Sequence, residues 1–483
     1  MPKIIDALLV LLLTFLPLAL GTVHLWSITI FAITSVILIN LCVFHPDFSF
    51  KKIFKFPIVI GSVIFLAYLL FQLIPLPAPV LKMISPNTYK LYNDFSLTYP
   101  WFNSWRPLSI YPWLTVFELI KLISCGLIFV TILFRSGLKD KNQKINDVER
   151  NTLIYIQLGC LTGALAILLH SFVDFNLHIT ANAFYFTVLL GLAVTLSGNI
   201  EDINKEFIFK IVNSIVIIGF FIALFGIVQK LSGSEKIYWI IKKDGDHFGP
   251  YVNYDHYAGF IGICASIAIA SLMAKVRFSS FFLYKDIKNK LMWLSSQEAS
   301  KTIRQFAASG VMVGSLFYSS SRGGILSFIL AIAIFSFFII IYTRRNRRGR
   351  IILFFILMLL LSSVITFWIG PDSTFERFNE LNNFARYIIH EPSILSEIRF
   401  EIWNNTVHII KDFIVTGTGL GTFSSIFPKY RTYYWGDEWA FLRYAHSDYL
   451  QTMAETGMVG LIFILLLLYY FFTLYKLTIK RLK

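Results

Sequence analysis

The chain has 483 residues, 56% hydrophobic and only 15% charged, with a formal net charge of +15. Its apolar residues come in long blocks rather than at amphipathic spacing, which marks a polytopic membrane protein and excludes a soluble globular domain. The basic excess falls in the connections between blocks, so it implies no nucleic-acid partner.

A hydrocarbon core takes about 20 apolar residues per helix. About twelve stretches qualify, at 4–20, 23–44, 57–74, 114–134, 152–170, 180–196, 207–229, 257–274, 303–318, 324–343, 351–369 and 457–475. The first, with Lys3 ahead and Ala19 and Gly21 behind, has the features of a secretory signal; a second span follows at once, so it reads as a retained helix. The four cysteines, Cys42, Cys125, Cys160 and Cys264, all fall inside predicted spans and offer no disulfide or zinc pattern.

Short loops rich in Lys and Arg stay cytoplasmic. Here Lys51, Lys52 and Lys55, then RSGLKDKNQK, KVRFSSFFLYKDIKNK, RRNRRGR and the tail KLTIKRLK alternate with other loops without a break. Both termini are therefore expected in the cytoplasm, with 75–113, 171–179, 231–256, 319–322 and 371–455 outside. The expected fold is all-α, a single membrane domain over 1–483.

The external segment 371–455 is too long for an ordinary connection and too aromatic for disorder, with Phe375, Phe378, Trp403, Phe413, Trp435 and Trp439. Ile398, Ile402, Ile409 and Phe413 recur near helical spacing, which predicts an amphipathic helix lying on the membrane or capping a cavity. Arg377, Arg386, Arg399, Arg431 and Arg443 also fall here, although orientation disfavours external positive charge. Arginine suits phosphate, so an external diphosphate explains them; pairing with Glu376, Glu380, Glu397, Glu401 and Asp412 is the plainer alternative.

In SSSRGGILSF, Arg322 sits where one span ends and the next begins, a functional position by default, with an interfacial anchor as the alternative. Ser319, Ser320 and Ser321 offer hydrogen bonds beside it, and Gly323 and Gly324 allow close approach of another backbone. In YAHSDYLQTMAETGMVG, Asp448 and Gln451 fit a helix N-cap with its reciprocal partner, and Gly457 and Gly460 predict a small-residue packing face. His446 then stands just before the positive end of the last helix, which favours the neutral imidazole that accepts a proton. A histidine hydrogen-bonded within its loop is the alternative. KKDGDHFG contains Asp244 and Asp246, a carboxylate pair of metal-binding form that is more often a turn. TGTGLGTF follows no nucleotide-binding strand, so its phosphate reading is weak.

His446, Ser447, nine intervening residues, Gly457 and Gly460, together with Arg322 followed by Leu326, resemble the motifs of the O-antigen ligase and polymerase superfamily of bacterial envelope glycosyltransferases. GPYVNYDHYAGF, with Asn253 and His256, looks like that family's Asn and His stretch, and RFEIWNNTVHIIKDFIVTGTGLGTF like its large external loop. LLHSFVDFNLHITANAFYFTVLLGLA looks like the hairpin that exopolysaccharide-type members carry after the histidine helix. Here that hairpin, within 152–197, comes much earlier, which puts in doubt any role carried over by position for His170, Asp174 and His178.

The resemblance implies a glycan donor on undecaprenyl diphosphate, presented at the periplasmic face of a bacterial inner membrane. It also implies an acceptor glycan or lipid A core, surrounding membrane lipid, inversion at the anomeric carbon, no nucleotide and no metal or other cofactor. Arg322 is the first candidate for the leaving diphosphate, with Arg399, Arg443 and Arg431 next. His446 is the candidate base, oriented by Asp448 or Glu455, and Asn253, His256 and Asp448 are further substrate-site candidates. A polymerase joining lipid-linked repeats shares this donor chemistry. A transporter of the same lipid predicts mid-span charges, yet Glu118, Lys121 and Lys210 fall near helix ends.

Overall fold

The computed structural model describes residues 1–98, 105–138, 144–242, 246–278, 286–342, 394–432 and 442–481, with Gly349, Ile356 and Leu360. Twelve principal helices are described: α1 (Pro2–Leu18), α2 (Leu25–Val43), α3 (Pro57–Phe71), α4 (Pro112–Ser136), α5 (Asp147–His170), α6 (Thr180–Ser197), α7 (Lys205–Leu231), α8 (Tyr254–Phe278), α9 (Gln297–Tyr318), α10 (Arg322–Tyr342), α11 (Ile394–Asp412) and α12 (Asp448–Lys480). Shorter helices and two small two-stranded ribbons join them.

The protein is an all-α polytopic membrane protein. Among the described residues, α2, α4, α5, α6, α7, α8, α10 and α12 are long and apolar enough to span a bilayer. The expected stretches in α1, α3 and α9 are also helical; α1 and α3 are shorter, at 17 and 15 residues, and α9 is less apolar. Apart from Ile356 and Leu360, the stretch 351–369 lies outside the described residues, as do Asp244, Phe375, Arg377, Phe378, Arg386, Trp435 and Trp439.

Local chemistry sets the helix starts. Pro2, Pro57 and Pro112 occupy first turns, where a missing N–H costs nothing. Asn146 and Glu149 form a reciprocal capping box on α5, and Asn204 and Ser296 cap α7 and α9.

The core forms around α8, whose apolar window is entirely buried. It packs most extensively on α5, and small residues fix that approach: a Cβ on Gly159 would lie 2.5 Å from Ala270 Cβ, and one on Gly163 3.2 Å from the Ile263 carbonyl. Close backbone approach of this kind drives helix association where lipid offers no hydrophobic contrast.

Helix ends gather at two opposite poles. At one pole Arg135 grips Asp6 through Nε at 2.7 Å and Nη2 at 3.1 Å, Lys205 holds Glu149 at 2.8 Å, and Arg481 donates to the Leu196 carbonyl at 2.6 Å. The other pole collects the α1–α2 and α5–α6 turns with the starts of α8, α10, α11 and α12.

Candidate active site

Helix α11 is the expected amphipathic helix. Ile402, Ile409 and Phe413 are buried with Phe423, Ile426, Phe427, Ala445 and Ala454, a small second core beneath the second pole. The side chain of Ile398 lies outside the described residues.

The glycine-rich 416–423 segment is a structural clamp. Thr418 and Gly419 donate their backbone N–H groups to the carbonyls of Ala454 and Glu455, Leu420 donates to Gln72 Oε1 at 3.2 Å, and Gly421 and Phe423 donate to the Glu455 carboxylate at 2.7 and 3.2 Å. These N–H groups are occupied by protein, so the segment is not a phosphate cradle. Glu455, expected as a partner for His446, is committed to this clamp instead, with Gln451 as its third donor.

The close packing expected at Gly457 is present, but at a break in α12 rather than on a regular helix face. Gly457 is a kink at φ 61°, ψ −148°, where a Cβ would stand 2.5 Å from the Val415 carbonyl oxygen. The 414–417 chain crosses there, and Met458 N donates to the Ile414 carbonyl at 2.8 Å. The cap also differs. Ser447, one residue earlier than expected, caps α12, and Gln451 reaches back to accept from Ala445 N at 3.0 Å.

Relieved of capping, Asp448 reaches the α5–α6 turn. Its Oδ1 lies 2.6 Å from His178 Nδ1, its Oδ2 accepts from Leu177 N at 3.0 Å, and its own N–H donates to the Ser171 carbonyl at 2.9 Å. Both carboxylate oxygens are thus occupied by the scaffold, so Asp448 is a strut rather than an open ligand group. Burial alone would lower the His178 pKa; the hydrogen bond and charge of Asp448, with Glu455 and Glu118 beyond, outweigh it and raise it.

Asp174 lies at the centre of the same turn, 1% exposed. Its Oδ1 is 3.7 Å from His446 Nδ1 and its Oδ2 3.8 Å from His256 Nε2, while Asn176 donates to Oδ2 at 3.2 Å. Burial by itself would raise this carboxyl; His446, then His256 and His170, outweigh it and hold it well below the ordinary carboxylate range. The contacts to His446 and His256 are ion-pair separations, too long for direct hydrogen bonds. Among the described residues, no hydrogen bond reaches Asp174 Oδ1, His446 Nδ1 or either ring nitrogen of His170 and His256.

His446 itself is at φ 51°, a left-handed conformation uncommon outside glycine, and Trp403 Nε1 donates to its carbonyl at 3.3 Å. Its ring meets Phe175 edge-on at 5.1 Å, and Phe175 stacks on Tyr444 at 4.2 Å.

The arginines divide. Arg399 donates to the Val173 carbonyl at 3.3 Å and lies 3.6 Å from Asp255. Asp255 accepts from Ser321 Oγ at 2.5 Å, which ties the residue before Arg322 to the partner of Arg399. Arg322 opens α10 and is exposed. The close approach expected at Gly323 and Gly324 is made by α5 and α8: Cβ atoms there would stand 3.1 Å from His170 and 2.5 Å from Ala258. Arg443 is exposed three residues ahead of His446. Arg431 lies between Tyr430, bonded to Asp412, and Thr432, bonded to Glu401, and so runs alongside α11.

His256, fully buried against Phe175, belongs to the cluster. Asn253 accepts from Asp255 N at 2.7 Å, an Asx turn that starts α8. Asp246 borders a cavity of about 130 Å³ with Lys230, His247, Tyr254 and Ser319. Asp174 and His178 are the members that reading by chain position put in doubt, and their spacing from His446 in sequence left no local signal to restore them.

A family model described as O-antigen ligase matches residues 307–465. That span holds Arg322, Arg399 and His446 but not the α5–α6 turn. No curated protein and no solved structure matches the chain.

Proposed function

From the match of residues 307–465 to a family model described as O-antigen ligase, we propose that the chain moves a glycan from undecaprenyl diphosphate to an acceptor sugar hydroxyl at the periplasmic face of a bacterial inner membrane. The observation that carries the reading is the convergence of His446, Arg399 and the start of the Arg322 helix on one five-residue stretch, His170 to Asp174.

A sugar hydroxyl is too weak an acid to attack unaided, so His446 takes its proton as the oxygen bonds to the anomeric carbon. The bond from that carbon to the diphosphate oxygen breaks on the opposite face, which inverts the centre. Its electrons leave with the diphosphate, whose developing charge Arg322 and Arg399 offset. Arg399 is half-exposed, and its contacts among the described residues, a carbonyl at 3.3 Å and a carboxylate at 3.6 Å, are long enough to be exchanged for a phosphate. The bond energy arrives with the lipid, so no nucleotide enters the scheme. Arg443 and Arg431, exposed or half-buried on the flanks, suit the glycan or lipid headgroups.

The test is transfer in detergent from undecaprenyl-diphosphate-linked glycan purified from host membranes, without nucleotide and with EDTA. Wild type transfers, while His446→Ala and Arg322→Ala lose transfer and remain folded. Variants that retain full activity defeat the site assignment, and abolition by EDTA moves Asp246 and its cavity to the centre. A ligase adds glycan to a lipid A core, whereas a polymerase lengthens the lipid-linked chain, so product size separates the two.

A further inference from the structure

Among the described residues, four carboxylates of the second pole are candidates to serve His446, and three are engaged elsewhere. Asp448 binds His178 and Leu177 N, Glu455 holds the glycine clamp, and Asp255 holds Ser321 and faces Arg399. The fourth, Asp174, is buried and presents Oδ1 to His446 Nδ1 at 3.7 Å. We propose that Asp174, supplied by the α5–α6 turn, is the positioning carboxylate of His446: it keeps the proton on Nδ1, leaves the Nε2 lone pair for the acceptor hydroxyl, and stabilises the imidazolium formed in transfer. This rests on the glycosyltransferase reading above and deepens it.

Nδ1 faces the carboxylate, so Nε2 is the nitrogen left to meet an acceptor. When the acceptor oxygen bonds to the anomeric carbon, its proton passes to Nε2 and the electrons of the broken bond leave with the diphosphate. The imidazolium then lies beside the Asp174 carboxylate, whose Oδ1 is 3.7 Å from its Nδ1. An anion fixed in a buried site is worth more to a transient cation than one in water.

The turn is also built to hold its aim. Asn176 fixes the other oxygen, Phe175 wedges against the His446 ring, and two N–H groups anchor the turn to Asp448 or Asp448 to the turn. Asp174 and Phe175 from this turn face the His446 ring and Trp403 from α11 donates to its carbonyl, while His256 from α8 and His170 from the end of α5 act on Asp174 and Arg399 from α11 reaches the Val173 carbonyl. A contact of 3.7 Å shortens to a hydrogen bond by a rotation of the imidazole, as catalytic contacts commonly tighten when substrate binds.

The experiment compares wild type, Asp174→Asn, Asp174→Glu, His446→Ala and the Asp174→Asn/His446→Ala double variant in the full chain. It measures transfer kinetics against pH with the same purified donor, and binding of undecaprenyl diphosphate separately. Asp174→Asn is expected to lower kcat by about 10²-fold or more, with donor KM and undecaprenyl diphosphate affinity within about threefold. The acid limb of its kcat/KM profile moves to lower pH, because an imidazole without its anion protonates less readily. Asp174→Glu restores the limb and part of the rate. The double variant is no slower than His446→Ala, because the carboxylate acts only through that ring.

Wild-type kcat and an unmoved acid limb in Asp174→Asn overturn the proposal. So does a second full drop in the double variant, a parallel loss of undecaprenyl diphosphate binding, or failure of Asp174→Asn to fold, each of which makes the residue structural. An inactive His446→Ala beside a fully active Asp174→Asn strikes this inference alone, whereas an active His446→Ala strikes the reading beneath it.

Discussion

The two poles of the bundle are both polar, yet they are built oppositely. At the first, Arg135 and Asp6 meet in a short bidentate pair, with Lys210 3.7 Å from the same carboxylate. At the second, the contacts around Asp174 and Arg399 are drawn out to 3.6–3.8 Å, imidazole nitrogens lack hydrogen bonds, and His446 holds a left-handed backbone. Buried polar groups in a purely structural role find partners, and strain persists where function gains from it. The difference teaches that charge at a helix end is not by itself a sign of chemistry; unsatisfied, strained charge is.

The comparison sharpens through substitutions that separate the poles. The largest effect is expected from His446→Ala, which lowers transfer by about 10²–10⁴-fold while the melting temperature in detergent stays within about 2 °C of wild type. A variant that melts early and transfers normally would make the second pole structural like the first. Arg135→Ala reverses the pattern: it strands Asp6 in a buried site, so stability falls by about 3–5 kcal/mol, read from thermal or denaturant unfolding, and the donor KM of the surviving folded fraction is unchanged.

Gly457→Ala comes next. The site demands φ 61° and leaves no room beside Val415, so about 1–3 kcal/mol is lost from backbone strain, and limited proteolysis is expected to open the 414–421 segment first. An unchanged digestion pattern would show that the helix runs straight through this position.

The smallest effect concerns pH. His178 is raised in the folded chain, so its pair with Asp448 contributes stability that is fully present below the unfolded histidine pKa of about 6.5 and is lost as pH rises through the folded value. The melting temperature is therefore expected to fall by a few degrees above neutral pH, and His178→Gln should flatten that slope. Persistence of the slope in the variant would assign it to another group.

Much of this was legible in the sequence. Long apolar blocks fixed the helices, and the spacing from Ile402 to Phe413 identified the face that α11 buries. The capping pattern of Asp448 and Gln451 located the start of the last helix to within a residue. The cap itself was misjudged because Ser447 and Asp448 are both good capping residues, and only the distant turn determines which is free to cap. Gly457 was read as a packing glycine and does meet the 415–417 backbone, but a one-dimensional pattern does not show that the helix also breaks there.

The sequence by itself determined that this is a helical membrane protein, which stretches form its described helices, and which short motifs carry His446 and Arg322. Only the tertiary structure decided that Asp174, 272 positions before His446, stands beside it, and that Asp448 and Glu455 do not serve that ring. The physical reason is that hydropathy specifies which segments enter lipid but says nothing of which helix lies next to which. That choice is made by close fits such as Gly159 on Ala270 and by buried hydrogen bonds, and these exist only once the helices have met.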